Sequence, residues 1–165
     1  MKNIFLAIQN HLSELQSINY IDKDWGQLQY EQPPVQWPAV LLDVEQVNYT
    51  QMGHGDQRAE ADISITLANI NLQRSSAAVA AAKRSNAYTT IDILDEIHQQ
   101  LQLFSGSGQF TPLMRVQLRK DFNNDNYEVY TMIYRTSFLV PRTETGKTTV
   151  LASPKTKKYT TQTQS

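Results

Sequence analysis

Residues 36–44 read Gln36-Trp37-Pro38-Ala39-Val40-Leu41-Leu42-Asp43-Val44, and residues 59–67 read Ala59-Glu60-Ala61-Asp62-Ile63-Ser64-Ile65-Thr66-Leu67. The second run alternates throughout. Ala59, Ala61, Ile63, Ile65 and Leu67 point one way, and Glu60, Asp62, Ser64 and Thr66 the other. Period two is the pattern of a strand with one face buried and one face wet. The first run is a continuous apolar strand, entered through Trp37, which Pro38 holds extended. Between the two lies Gln51-Met52-Gly53-His54-Gly55-Asp56, a loop whose glycines permit left-handed backbone. No helix follows within reach, so this is not a phosphate-cradling loop. His54 has no second histidine at helical or strand spacing and stays a weak site candidate.

Upstream, Ile4, Phe5, Ile8, Leu12, Leu15 and Ile18 recur at helical spacing and predict an amphipathic helix over 4–18, with His11 on its flank. Asp22 to Gly26 reads as a turn and Gln27 to Glu31 as a short strand, which Pro33-Pro34 ends. Trp37 fits the rim of a core better than a binding anchor. Downstream, the alanine-rich Ser75–Lys83 suggests a helical turn or two. A stronger helix starts near Thr89, with Asp92 in a looser form of the capping box. Its stripe is Ile91, Leu94, Ile97, Leu101 and Phe104, and Ser105-Gly106-Ser107-Gly108 ends it.

Leu113–Phe122 and Tyr127–Val140 form a hairpin joined by Asn123-Asn124-Asp125-Asn126. Alternation sets Met114, Val116 and Leu118 against Arg115, Gln117 and Arg119. In the last strand Tyr130, Met132, Tyr134, Phe138 and Val140 make one face. The other is Tyr127, Val129, Thr131, Ile133, Arg135, Ser137 and Leu139, too apolar to be left in water. It predicts cover by another element or another subunit. The whole is an α+β fold: one antiparallel (mixed) sheet of about five strands, two main helices mostly on one face, in the order α-β-β-β-α-β-β.

The 165 residues suit a single α+β domain over 1–141 and a tail over 142–165. The tail carries Arg142, Lys147, Lys155, Lys157 and Lys158 against Glu144, a net +4 that leaves −5 of the total −1 to the body. Basic, polar and poor in apolar residues, it is expected to be disordered. There is no cysteine, which removes thiol nucleophiles, disulfides and cysteine-based zinc sites. The apolar run at the start stops at Gln9-Asn10, too short for a secretory leader, and no window reaches the length of a membrane span. A soluble protein made in the cytoplasm is expected.

No catalytic constellation emerges. Asp43, Glu45, Glu60 and Asp62 offer hard oxygen ligands on neighbouring strands. The nuclease pattern that uses such a hairpin wants a lysine two places after its second acid, where this chain has Asp62 after Glu60. A solvated outer sheet face accounts for these carboxylates better, and no metal or cofactor is expected.

The order of elements, the size and the stretch Pro33-Pro34-Val35-Gln36-Trp37-Pro38-Ala39-Val40-Leu41-Leu42-Asp43-Val44 resemble the tail terminator and tail-completion (head–tail joining) proteins of long-tailed bacteriophages. So do strand Ala59–Leu67 and the long final hairpin. The resemblance covers about residues 1–140. It implies a non-enzymatic structural protein of a phage-like tail, since that family has no catalytic residues to carry over. It also implies a homo-oligomeric ring, hexameric in many members, that caps the tail tube and joins it to the head. The implied partners are further copies of the chain, tail-tube proteins and head–tail connector proteins. DNA would pass transiently through the ring, and no membrane is involved. The implied location is the host cytoplasm during assembly and then the virion. The loop at 51–58 and the tail from Arg142 have no counterpart in the family.

Glu60 and Asp62 on one strand, and Arg115, Arg119 and Arg135 on others, alternate in sign along the sheet, with Ile133 among them. In a ring these residues can form the subunit interface or line the bore. The alternative is a nucleic-acid-binding module on the 113–140 hairpin. There Arg115, Arg119, Lys120 and Arg135 lie beside Tyr127, Tyr130 and Tyr134. Strand parity counts against it, because Tyr127 faces away from Tyr130 and Tyr134.

Overall fold

The computed structural model of the chain describes residues 1–70, 80, 85–122 and 127–142. The elements run α1 (Lys2–Leu12), β1 (Tyr20–Lys23), β2 (Ala39–Gly53), β3 (Asp56–Asn69), α2 (Thr89–Leu101), β4 (Met114–Asp121) and β5 (Glu128–Val140). The five strands form one sheet in the order β1-β2-β3-β5-β4. All neighbours are antiparallel except β1 and β2, which pair in parallel, so the sheet is mixed. This is the α+β order that the periodicities predict. The tail from 143 onward, the Asn123–Asn126 turn and, apart from residue 80, the alanine-rich stretch lie outside the described residues.

The two helices pack on one face of the sheet. Ile4, Ile8 and Leu12 of α1 meet Ile93, Leu94, Ile97 and Leu101 of α2 over Val40, Leu42, Ile63, Ile65, Leu67, Met132 and Tyr134. The register explains why these strand residues act together. Leu42 lies opposite Ile65, and Ile65 opposite Met132; Ile63 lies opposite Tyr134. Directly opposed residues share a face, so one row of alternate positions from three strands becomes a single apolar floor.

Local differences from the sequence reading have local causes. α1 stops at Leu12 rather than at 18, because the Ser13 hydroxyl bonds back to the Asn10 carbonyl at 2.6 Å and the chain turns. Leu15 and Ile18 reach the core without being helical. The first strand is Tyr20–Lys23, not Gln27–Glu31. Gly26 takes φ 91°, and Gln27–Gln29 wind into a 3₁₀ turn. Gln27 is buried there, its amide donating to the Lys23 carbonyl at 2.8 Å and accepting from the Trp25 N–H at 2.9 Å. In α2 the buried positions are Thr90, Ile93, Leu94, Ile97 and Leu101, while Ile91 is exposed. Tyr88 is the N-cap with no side-chain cap bond, so the Thr89–Asp92 box does not form.

The loop between the first two long strands is far shorter than predicted. β2 and β3 pair out to Gly53 and Asp56, leaving only His54 and Gly55 at the tip. Both have positive φ, 51° and 92°. That is the two-residue hairpin turn whose twist matches its strands. β5 follows β3 along the same length, from Asn69↔Glu128 to Gln57↔Val140.

Candidate assembly surface

The sheet face away from the helices carries most of the charged residues that the alternation singles out. Register places Asp62 opposite Arg135 on neighbouring strands. Their side chains form a two-pronged bond, Nε to Oδ1 and Nη2 to Oδ2, each at 2.8 Å, and Glu60 stands 3.7 Å from the same guanidinium. The hydrogen bonds from Arg135 hold the Asp62 carboxyl below the ordinary carboxylate range, although partial burial pulls the other way. The same bonds raise the Arg135 guanidinium further still.

A second pair crosses the sheet. Arg119 of β4 reaches Glu45 of β2 at 2.7 Å. Three strand spacings, about 14 Å, separate those strands. The span is possible because the floor beneath it is short: Ser64, Thr66 and Thr131, with the two threonine hydroxyls 3.1 Å apart. Alternation from Asp43 already places Glu45 on this face, and the register shift between Val44 and Gln46 leaves it without a directly opposed residue on β3. Between this strap and the turn at 24–29 lies a cavity of about 540 Å³, lined by Asp24, Leu28, Asp43, Glu45, Arg119 and Thr131 among others.

Arg115 does not share the face of Arg119. The pairing of β4 slips at Val116: Arg115 lies opposite Tyr134, but Gln117 lies opposite Ile133 and Arg119 opposite Thr131. The extra residue reverses parity. Arg115 therefore sits on the helix face, its N–H 3.5 Å from the Gln102 amide oxygen and its guanidinium 3.8 Å from Met132 Sδ. Of the six residues that alternation marks as interface, five lie on the outer face. Ile133, one of those five, is only 7% exposed in the single chain.

Part of the cover that this apolar face requires comes from the chain itself. The segment after β1 folds over its base. There the Tyr127 hydroxyl donates to the Leu28 carbonyl, and the Trp37 ring lies 5.1 Å from the Tyr127 ring. Trp37 is thus a rim residue, as expected. Toward the tip the face is open, with Leu139 68% exposed.

The basic–aromatic hairpin comes apart under this geometry. Tyr134 is fully buried, and Tyr127 lies on the opposite face, bonded to Leu28. Arg119 and Arg135 are matched by carboxylates within the chain, and Lys120 is 3.2 Å from Glu128. The four carboxylates do not converge, and among the described residues no group of three or more ligating side chains gathers for a metal. His11 stacks on Phe104 at 4.1 Å as a partly buried flank residue. Among the described residues no helix is long and apolar enough to cross a membrane.

Two titratable groups make stability depend on pH in separate windows. His98 lies under the sheet, its Nδ1 3.0 Å from the Tyr134 hydroxyl. Burial first, and the Arg115 charge second, lower its pKa below the ordinary 6.5. The unfolded chain then binds the proton more readily, so stability falls as pH drops below about 6.5 and levels off beneath the folded value. Asp62 acts lower. Its contribution is present above the ordinary 3.8 and is lost as pH falls through its depressed folded value. Urea titrations at stepped pH should show His98→Gln flattening the first limb and Asp62→Asn the second; exchanged assignments would contradict this placement.

No family model matches the chain, and no curated protein matches it. Among solved structures, it is similar to a chain in the virion of a native gene transfer agent particle. The identity is 12%, the TM-score is 0.52, and the likeness covers 81% of this chain and 92% of that one. At such identity the side chains have diverged, and what this chain shares with that virion chain is its fold.

Proposed function

We propose that this chain is a non-enzymatic structural protein of a phage-like particle, acting as a tail terminator: a ring of identical copies that caps the tail tube and joins it to the head. The observation that carries this reading is the likeness in fold to a chain of a gene transfer agent virion, spanning 92% of that chain. It agrees with the tail-terminator resemblance of Pro33–Val44, of strand Ala59–Leu67 and of the final hairpin. The outer sheet face supports it too, being apolar in part, open toward the hairpin tip and crossed by ion pairs of both signs.

In this reading Glu60, Asp62, Arg119, Ile133 and Arg135 contribute to the contact between copies or to the bore, and Arg115 contributes from the opposite face. Because Arg135 already has Asp62 as a partner within its own chain, such charges align neighbours more than they add binding energy. Partners would be other copies, the tail tube and the head–tail connector, with DNA passing through the ring. Assembly would take place in the host cytoplasm, before the chain joins the virion. The test is mass by light scattering after size exclusion, with negative-stain images of the same peak. A closed ring, free or formed on added tail tube, is the expected result. A strict monomer at micromolar concentration that forms no ring on the tube would reject the reading.

A further inference from the structure

The sheet has two edges, and they are unequal. β1 is four residues long, but β4 has eight. Every second residue of an edge strand directs its N–H and C=O away from its partner strand, toward anything that can pair with it. Among the described residues no strand pairs with the outer edge of β4. Gln102 meets the Arg115 N–H, and the bulge follows at Val116, so the start of the edge is blunted. Beyond it Gln117–Asp121 pairs regularly with β5.

This edge is also apolar: Val116 and Leu118 are each 50% exposed, and Phe122 80%. Chains commonly guard such an edge with cations. Here Arg119 is drawn to Glu45 and Lys120 to Glu128, so both guards are neutralised within the chain.

The chain beyond residue 142 contains one apolar run, Thr148-Thr149-Val150-Leu151-Ala152, between Gly146-Lys147 and Ser153-Pro154. Three of its five residues are β-branched, a composition that suits a pleated strand, and Pro154 would end any pairing. Its own edge is out of reach. Arg142 is fastened at the hairpin tip, its N–H 2.8 Å from Asp56 Oδ1. Arg135, opposite the first residue of β4, lies about 23 Å back along the sheet. From Arg142, Thr148 can travel about 22 Å at most when fully taut, and each further strand residue recedes about as fast as the chain extends.

We propose that the outer edge of β4, over Gln117–Asp121, pairs with residues 148–152 of a second copy of this chain. The inference rests on the ring reading, since head-to-tail donation of one segment to the next edge propagates around a closed ring.

The absence of cysteine makes the test direct. Full-length Gln117→Cys is mixed under mild oxidation with Thr148→Cys and, separately, with Ala152→Cys, the residues that face position 117 in parallel and in antiparallel pairing; Asn10→Cys, on the exposed side of α1, replaces Gln117→Cys as control. The expected result is a dimer cross-linked between position 117 and one of 148 or 152, at least about tenfold above the control, because docking raises the local concentration. Leu118→Lys in the Gln117→Cys chain should lower that yield. Light scattering on the same mixtures separates the two ideas. Rings whose cross-linking equals the control would overturn the tail–edge contact and leave the ring reading standing. Monomers with no cross-link, with added tail tube as well as without it, would overturn both. In Gln117→Cys/Thr148→Cys and Gln117→Cys/Ala152→Cys double variants, bonding only within one chain would overturn the choice of a second copy.

Discussion

Tyr134→Ala should lower the unfolding free energy by about 3–5 kcal/mol, the loss typical of removing a fully buried aromatic ring. Tyr134 has no exposed surface and is the largest of the fully buried side chains. It lies opposite Ile63 on β3 and Arg115 on β4, at the centre of the floor beneath α2. Its hydroxyl is not idle: it meets His98 Nδ1 at 3.0 Å and Met132 Sδ at 3.7 Å. Burial raises its pKa above the ordinary value, so it remains a neutral phenol. Tyr134→Phe keeps the packing but strips a half-buried imidazole of its partner, which costs about 0.5–1.5 kcal/mol. Urea denaturation of the three proteins should rank them in that order. A loss under about 1 kcal/mol for the alanine variant would mean that β5 is not held against the helices as described.

Ile65→Ala should cost about 2–5 kcal/mol, while Thr66→Ala, one residue on, should cost about 1 kcal/mol. Ile65 is fully buried between Leu42 and Met132 on the helix face. Thr66 faces the other way and contributes one hydroxyl contact, to Thr131 at 3.1 Å. The contrast tests the two-faced sheet at a single step of backbone. Equal losses at both positions, from the same denaturation measurement, would contradict it. Along β3 the same face carries Ala59 and Ala61 toward the tip and the larger Ile63, Ile65 and Leu67 beneath the helices. The cost of truncation should therefore be concentrated in the latter three.

The outer face was only partly legible in the sequence. Glu60, Asp62 and Arg135 sit on regular strands, and their sharing of a face follows from period two alone. Arg115 and Arg119 share a parity in the sequence but not in space, because Val116 is inserted into one strand of the pair. Nothing in Met114-Arg115-Val116-Gln117 marks that insertion, since a bulge is settled between two strands rather than within one. The Glu45–Arg119 strap was hidden for the same reason. It joins residues 74 positions apart, across two intervening strands, and depends on the order of strands in the sheet. The sequence around the buried Gln27 does not separate a 3₁₀ turn from a strand, because three alternating residues fit either form; Gly26 and the amide bonds to Lys23 and Trp25 decide between them.

The sequence by itself determined the fold class, the element order, the two main helices and which face of β3 and β5 is buried. Those follow from local periodicity, which sterics and burial impose wherever the chain is regular. Tertiary structure alone decided that β1 pairs in parallel at the edge, that the β2–β3 hairpin runs on to a two-residue tip, and that Arg115 stands apart from the other interface candidates. Each of those depends on register between strands far apart in the chain, and one residue of slip turns every side chain beyond it to the opposite face.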